Sequence, residues 1–296
     1  MSVHGLIAGV LAAFVANGPA VADDKTSASA LAGDILDDAR PSMEREALVK
    51  KHPGLSDALI AAMVADLKPG TKEESRRIPW VWRVAIAAGK RNDEAELRKI
   101  LAVALPGPDG KLDDWRAVVV GGGLINGVSQ AGEWPGARFE AVLKDDPGLR
   151  ARWTRTVKLA SVMADDPAVS TGTRYDALRL LGTTGWDEHG AQLFRYLTKG
   201  THAELQMGAL SGLSDVPGPP ACVAQALASG LGHYTPENLD IALDALLRDE
   251  ARALVLLDAV AEDRVKPERL GKARADALLG HASEAVRGRA GKLLGR

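Results

Sequence analysis

The amino-acid sequence predicts an all-α protein, built as an α-solenoid in which antiparallel helix pairs stack one on the next. Three observations support this: similar motifs recur at a nearly constant step, apolar residues such as Leu239, Leu243 and Leu246 recur with helical spacing, and no long alternating apolar–polar run stands out. Composition agrees, because apolar residues make up 46% of the 296-residue chain and aromatic residues only 4%. Leucine and small apolar residues favour closely packed helices, whereas Phe and Tyr, which favour strands, number three each.

The N-terminal segment, residues 1–22, has the pattern of a signal peptide. Its apolar run LIAGVLAAFVA is too short to cross a membrane, and the A-x-A cleavage pattern Ala20-Val21-Ala22 follows it. The preceding MSVHG has no Lys or Arg, which departs from the usual pattern and leaves a first helix packed on the repeats as the alternative. We expect an exported protein, periplasmic or extracellular, whose mature chain has no integral membrane segment.

Residues 23–75 are expected to form a loose N-terminal segment followed by capping helices. The mixed composition of residues 23–35 predicts a loose segment, and DARPSMEREALVKKH and SDALIAAMVADL then predict two helices. Ser56 is the predicted N-cap of the second helix, with Asp57 in its first turn, where negative charge is favoured. Lys68-Pro69-Gly70 is expected to end that helix.

Residues 76–296 carry the repeats, and tryptophan marks those of the first half. WRVAIAAG begins at Trp82 and WRAVVVGG at Trp115, and both open with Trp-Arg and end in glycine. A third opening, WTRTVKLA, begins at Trp153 after a longer gap.

In the second half, the motifs repeat more regularly. ALRLLG begins at Ala177, ALSGLS at Ala209 and ALDALL at Ala242, so the two steps are nearly equal to each other and to the step from Trp82 to Trp115. Such a period, with two helices in each repeat, is typical of solenoid proteins.

Proline and glycine occur where helices are predicted to begin and end. A capping residue directly before proline predicts three helix starts, with N-caps at Asp146, Asp166 and Thr235. Glycine after a helical segment predicts three C-caps, at Gly182, Gly200 and Gly280.

Three segments resemble helices of the HEAT-like repeat family, including its short PBS-lyase-type repeats: TRYDALRLLG, LQMGALSGLS and ASEAVRGRAGKLLG. The resemblance covers roughly residues 76–296 and rests on the pattern of small and apolar positions. It implies a scaffold or protein-binding surface, although a few members of the family are lyases or DNA-lesion enzymes. The longer step from Trp115 to Trp153 departs from a regular period.

The stretch VVVGGGLING, residues 118–127, is similar to the phosphate-binding turn of a dinucleotide enzyme, but the last glycine of the motif is missing and the helix that should follow it is not predicted. The fingerprint G-x-G-x-x-G requires glycine at position 126, which is Asn126, and a following helix. That helix would run through Gly132 and Trp134-Pro135-Gly136, where proline and glycine disfavour it. We predict instead a helix that ends near Gly121, where glycine permits left-handed backbone or close packing, and we expect no cofactor.

Other candidate catalytic and metal-binding residues lack the patterns that their chemistry requires. Ser129 in GVSQA is similar to a nucleophile elbow, but its flanks do not fit a strand and a helix, and no His is near in sequence. Asp187-Glu188-His189 is interpreted as the first turn of a helix rather than a metal site. Cys222 is the only cysteine, which excludes an internal disulfide and a Cys-x-x-Cys site. We predict no catalytic, cofactor-binding or metal-binding residue.

Arg83 and Arg116 are the candidate partner-binding residues, because each follows a tryptophan at an equivalent repeat position. Arginine can pair with carboxylates of a partner, or it can cover a tryptophan as part of the structure, and both interpretations stay open. Trp82 and Trp115 are expected in the core between repeats, with an aromatic groove for a peptide or glycan as the alternative. The net charge of −2 provides no electrostatic footprint for nucleic acid, despite the local basic stretch RARWTRTVK.

Taken without a structure, these patterns predict a non-catalytic scaffold that binds a protein partner, not an enzyme. The alternative is a repeat-fold enzyme, lyase-like or hydrolytic, whose active-site residues come from several repeats. A cleft with strongly shifted pKa values and convergent polar groups favours the enzyme, whereas a smooth groove lined by Arg and Trp favours the scaffold.

Overall fold

The computed structural model describes residues 20–68, 70–107, 110, 114–216 and 220–295. Over these residues the chain is all-helical, which confirms the predicted class, with sixteen α-helices, one π-helical segment (Asp114–Val119) and no strand. The helices are Ala20–Leu36 (α1), Ser42–Lys51 (α2), Ser56–Val64 (α3), Lys72–Arg91 (α4), Glu94–Ala104 (α5), Val120–Gln130 (α6), Pro135–Leu143 (α7), Pro147–Asp165 (α8), Thr171–Leu181 (α9), Trp186–Arg195 (α10), Ala203–Asp215 (α11), Pro220–Ser229 (α12), Pro236–Ala245 (α13), Glu250–Ala261 (α14), Pro267–Leu279 (α15) and Glu284–Leu294 (α16). Within the described ranges, no helix is both long enough and apolar enough to cross a bilayer.

Alternate helices pack against each other in the second half of the chain. Helix α9 packs on α11 and α11 on α13, while α10 packs on α12, α12 on α14 and α14 on α16. The repeated alanines of ALRLLG, ALSGLS and ALDALL lie in α9, α11 and α13, and all three are fully buried. The repeat step in the sequence therefore separates helices that are neighbours in space.

The N-terminal half shows the same alternation up to α7. Helix α1 packs on α3, α3 on α5 and α5 on α7, and α4 packs on α6. Helix α6 then packs on α9, two helices being skipped between them. The prediction that residues 23–35 are loose is wrong, because they belong to α1. Ala28, Ala32 and Ile35 are buried, and their helical spacing forms an apolar face that composition alone did not reveal. Residues 1–19 of the expected signal peptide lie outside the described residues, and its cleavage pattern begins α1.

Capping residues begin and end several helices as predicted. The Asp146 carboxylate accepts the backbone N–H of Leu149 at 2.9 Å, and the next residue is the N-terminal proline of α8. Thr235 accepts from a backbone N–H of α13 in the same way. Gly182 and Gly280 directly follow the last residues of α9 and α15, as predicted for C-caps.

Three predicted helix boundaries are wrong. Asp166 follows the end of α8, and Ser170 caps α9 instead, since its hydroxyl accepts a backbone N–H of the first turn. Ser56 lies inside α3, where its hydroxyl donates to Glu96 Oε1 at 2.7 Å rather than capping the helix. Gly200 lies in the turn before α11, beyond the C-cap of α10, with a φ of 92° that favours glycine.

The stretch VVVGGGLING lies inside a continuous helical region, so the predicted helix end near Gly121 is wrong. The π-helical segment continues directly into α6, and both contain residues of this stretch. Glycine is used here for close packing: a Cβ on Gly127 would lie 2.3 Å from the Ile86 carbonyl oxygen and 2.7 Å from Gly89 Cα. Both atoms belong to the backbone of α4, so α4 and α6 can approach this closely only where side chains are absent.

Candidate functional site

A pocket of about 390 Å³ lies where α4, α9 and the start of α11 meet. This volume is within the range of pockets that bind small molecules or single side chains of a partner. The residues that carry its chemistry come from three helices: Trp82 and Arg83 from α4, Tyr175 and Asp176 from α9, and Glu204 from α11. We refer to it below as the α4–α9 pocket.

Asp176 is the buried acid of the α4–α9 pocket, with only 6% of its surface exposed. The indole Nε1–H of Trp82 donates to its Oδ1 over 3.3 Å. Gly122 of α6 leaves room for this carboxyl group, because a Cβ there would lie 2.2 Å from Oδ1. The middle of the glycine stretch therefore accommodates a carboxyl group of the chain itself.

Burial raises the pKa of Asp176 well above the usual range of an aspartate. Arg179 and the hydrogen bond from Trp82 lower this pKa, and the Glu204 carboxylate raises it, but burial dominates. Asp176 therefore keeps its proton to a higher pH than an exposed aspartate. Because Oδ1 accepts from Trp82, the proton belongs on Oδ2, and the carboxyl group can donate a hydrogen bond to a ligand.

Arg83 lies at the rim of the α4–α9 pocket with 42% of its side chain exposed. Its Nη1 donates to the Pro79 carbonyl at 3.0 Å, and its Nε lies 3.4 Å from Glu46 Oε1. The guanidinium carbon also lies 4.8 Å from the ring centre of Trp80. Arg83 therefore covers a tryptophan, the neighbour of Trp82, and still offers donors at the rim.

Arg116, the other candidate partner-binding residue, is exposed on the π-helical segment and is not part of the pocket wall. The pocket thus brings Arg83 together with Trp82 but does not bring the two arginines together. Trp82 is partly buried against the hydrophobic core and also lines the pocket. The side chain of Trp115 lies outside the described part of the structure.

One turn along α9 from Asp176, a buried ionic cluster ties α6, α9 and α11 to the turn between α13 and α14. Asp215 of α11 is fully buried and pairs with Arg179 at 3.3 Å and with Arg248 at 2.5 Å. Its Oδ1 also accepts a hydrogen bond from the Ser129 hydroxyl at 2.8 Å. Ser129, which resembles an elbow nucleophile in sequence, therefore lies in helix α6 rather than in a strand–helix turn, and its hydroxyl is bound to a buried carboxylate.

Sequence reasoning missed Asp176 and Asp215. Each is an acid on a mainly apolar buried face, of α9 in one case and α11 in the other: Asp176 directly precedes ALRLLG, and Asp215 directly follows ALSGLS. The sequence signal was an acid on the same helix face as the leucines of these motifs, because a buried carboxylate must form an ion pair or take up a proton.

The cluster Asp187-Glu188-His189 forms the first turn of α10, as predicted. Among the residues that the structure describes, no group of three or more His, Cys, Asp or Glu side chains is arranged to hold a metal ion. The imidazole Nδ1 of His189 lies 2.8 Å from Thr184 Oγ1 in the preceding turn, so the local geometry orients this ring.

No protein-family model, curated protein or solved structure matches this chain. The resemblance to HEAT-like repeats therefore rests on the sequence pattern, and the function is inferred from the geometry of the described residues.

Proposed function

We propose that this chain is a non-catalytic scaffold, an α-solenoid of HEAT-like helix pairs, that binds a protein partner on the face containing the α4–α9 pocket. The observation that carries the proposal is the composition of that pocket. Trp82, Tyr175 and Arg83 belong to the residue types that dominate binding energy at protein interfaces, and here they surround a concave site.

The packing of alternate helices supports the solenoid part of the proposal. The contacts of α4 with α6, α6 with α9, α9 with α11 and α11 with α13 would belong to one layer of first helices in such a solenoid. The contacts that link α10, α12, α14 and α16 would belong to a second layer. A partner segment that follows the first layer would pass over the α4–α9 pocket.

The charges of the pocket define the partner segment. Arg83 at the rim favours a carboxylate of the partner, and Glu204, which is exposed, favours a donor. A side chain that accepts a hydrogen bond would fit between them, facing the Asp176 carboxyl group. The signal-peptide pattern supports export, so the proposed partner is an exported protein.

Affinity capture from the native host tests this proposal. The full chain, tagged at its C-terminus, is expected to recover one partner in stoichiometric amount. Arg83→Glu should abolish the recovery, and Trp82→Ala should reduce it, provided that circular dichroism shows both variants folded. Lys272→Glu is the matched charge reversal, since Lys272 is 87% exposed on α15 and lies outside the pocket. Recovery that Arg83→Glu leaves unchanged, or recovery of the chain alone, would contradict the proposal.

The raised pKa of Asp176 favours a second candidate function, that of a hydrolytic repeat-fold enzyme. Asp176 is buried and keeps its proton, so it could act as a general acid. The exposed carboxylate of Glu204 nearby could act as the general base. Chromogenic esters and glycosides are suitable substrates for a direct test. Turnover that Asp176→Asn and Glu204→Gln both abolish would establish the enzyme, whereas turnover insensitive to both variants, or none, would reject this candidate.

A further inference from the structure

A second and larger cleft, of about 610 Å³, lies between α7, α8 and the turn that joins α9 to α10. Its floor is apolar, because Trp153 and Val157 lie there with 7% and 4% of their surface exposed. Gly136 and Gly185 also line it, so parts of the wall carry no side chain. None of its lining residues belongs to the α4–α9 pocket. We refer to it as the α8–α10 cleft.

The hydrogen bonds in the α9–α10 turn decide which nitrogen of His189 carries the proton. Thr184 Oγ1 donates to the Leu181 carbonyl at 2.8 Å, which uses its only proton. The 2.8 Å contact between Thr184 Oγ1 and His189 Nδ1 therefore has Nδ1–H as the donor. Burial lowers the pKa of His189, and the Glu188 carboxylate opposes this only in part. The imidazole is then neutral near pH 7, with a bare lone pair on Nε2.

Two opposite charges line the same cleft without neutralising each other. Lys158 of α8 and Glu188 of α10 are both exposed, and neither forms an ion pair with any residue that the structure describes. A third charged residue, Glu140, pairs with Arg150 at 2.9 Å. Apart from the Glu140–Arg150 pair, the α8–α10 cleft therefore presents one cation, one anion and one neutral acceptor above an apolar floor.

We propose that the α8–α10 cleft binds a free α-amino acid with an apolar side chain. Its ammonium group would bind Glu188 and His189 Nε2, and its carboxylate would bind Lys158. A ligand with only one charge would leave either Lys158 or Glu188 unmatched, whereas a zwitterion satisfies both. The apolar side chain would cover Trp153 and Val157. This site is separate from the proposed protein-binding surface and does not depend on it.

Titration calorimetry of the full chain with L-phenylalanine and L-leucine tests the proposal. Two analogues separate the charges: 2-phenylethylamine lacks the carboxylate, and 3-phenylpropionate lacks the ammonium group. Each is expected to bind about tenfold more weakly than L-phenylalanine, the effect of one charge-assisted hydrogen bond. Lys158→Met should lower the affinity for L-phenylalanine about tenfold and leave the affinity for 2-phenylethylamine unchanged. Glu188→Gln should lower the affinity for L-phenylalanine and leave the affinity for 3-phenylpropionate unchanged.

Gly185 offers a steric test that leaves the charges in place. Its φ of −71° and ψ of 162° suit any L-residue, and a Cβ there meets no atom within 4 Å. Gly185→Leu is therefore expected to fold and, because Gly185 lines the cleft, to narrow the cleft and abolish binding, whereas Gly185→Ala should weaken binding less. Lys199→Met, which removes an exposed charge outside the cleft, is the matched control and should leave the affinity unchanged.

Three results would each overturn the proposal. One is the absence of binding for both amino acids in the millimolar range. Another is equal affinity for L-phenylalanine and either analogue, which would show that the cleft does not recognise a zwitterion. The third is binding that folded Gly185→Leu leaves unchanged, which would place the ligand elsewhere.

Discussion

Replacing Gly127 by alanine tests whether the glycines of VVVGGGLING serve helix packing. The new Cβ would lie 2.3 Å from the Ile86 carbonyl oxygen and 2.7 Å from Gly89 Cα. Real Cβ atoms do not approach so closely, and both neighbours are backbone atoms of α4. No side-chain rotation can relieve the contact, so α4 and α6 must separate locally and lose packing along their interface.

The expected destabilisation is about 2 kcal/mol. Overpacking costs about 1–3 kcal/mol, and contacts with backbone belong at the upper end of that range. Alanine recovers about 1 kcal/mol because it favours a helix interior more than glycine does. Unfolding entropy of about 2.1 cal/mol/K per residue, taken over 296 residues, converts 2 kcal/mol into a fall in Tm of about 3 °C if the chain unfolds as one unit.

Urea denaturation followed by circular dichroism measures this change, and Gly288→Ala is its matched control. Gly288 also lies inside a helix, α16, but a Cβ there meets no atom within 4 Å. The same substitution should therefore stabilise the protein by about 1 kcal/mol at that position. Equal or greater stability of Gly127→Ala, relative to the unsubstituted protein, would refute the packing argument.

The buried acids lead to two further predictions. Burial raises the pKa of Asp176, so above about pH 4 the folded chain keeps a proton that the unfolded chain loses, and the free energy of unfolding falls by about 1.4 kcal/mol per pH unit until the folded pKa is passed. Asp176→Asn, which keeps an acceptor for Trp82, should remove this loss. Urea denaturation should show the stability of Asp176→Asn rising relative to that of the unsubstituted protein as the pH increases above about 4, and a constant difference would contradict the assignment. Asp215→Ala leaves the buried Arg179 and the partly buried Arg248 without their carboxylate and should lower the free energy of unfolding by about 3–5 kcal/mol, measured in the same assay. A loss below about 1 kcal/mol would show that the cluster contributes little.

The sequence determined the helical class and many helix boundaries, because the interactions responsible are local. Asp146 and Thr235 cap their helices through atoms only three residues away, and the buried alanines recur at the step of the motifs. Where the local sequence is compatible with two hydrogen-bonding arrangements, it does not determine which of them forms. Ser56 is an acceptable N-cap, yet its hydroxyl binds Glu96, 40 residues away, once α3 packs on α5.

Only the tertiary structure decided the role of the glycines and the chemistry of the α4–α9 pocket. Glycine permits both a helix end and close packing, and the approach of α4 selects packing at Gly127. Trp82 and Asp176 are 94 residues apart in the sequence, and the packing of α4, α6 and α9 brings them into hydrogen-bonding contact. The raised pKa of Asp176 follows from burial, which depends on every helix around it and is therefore not a property of the local sequence.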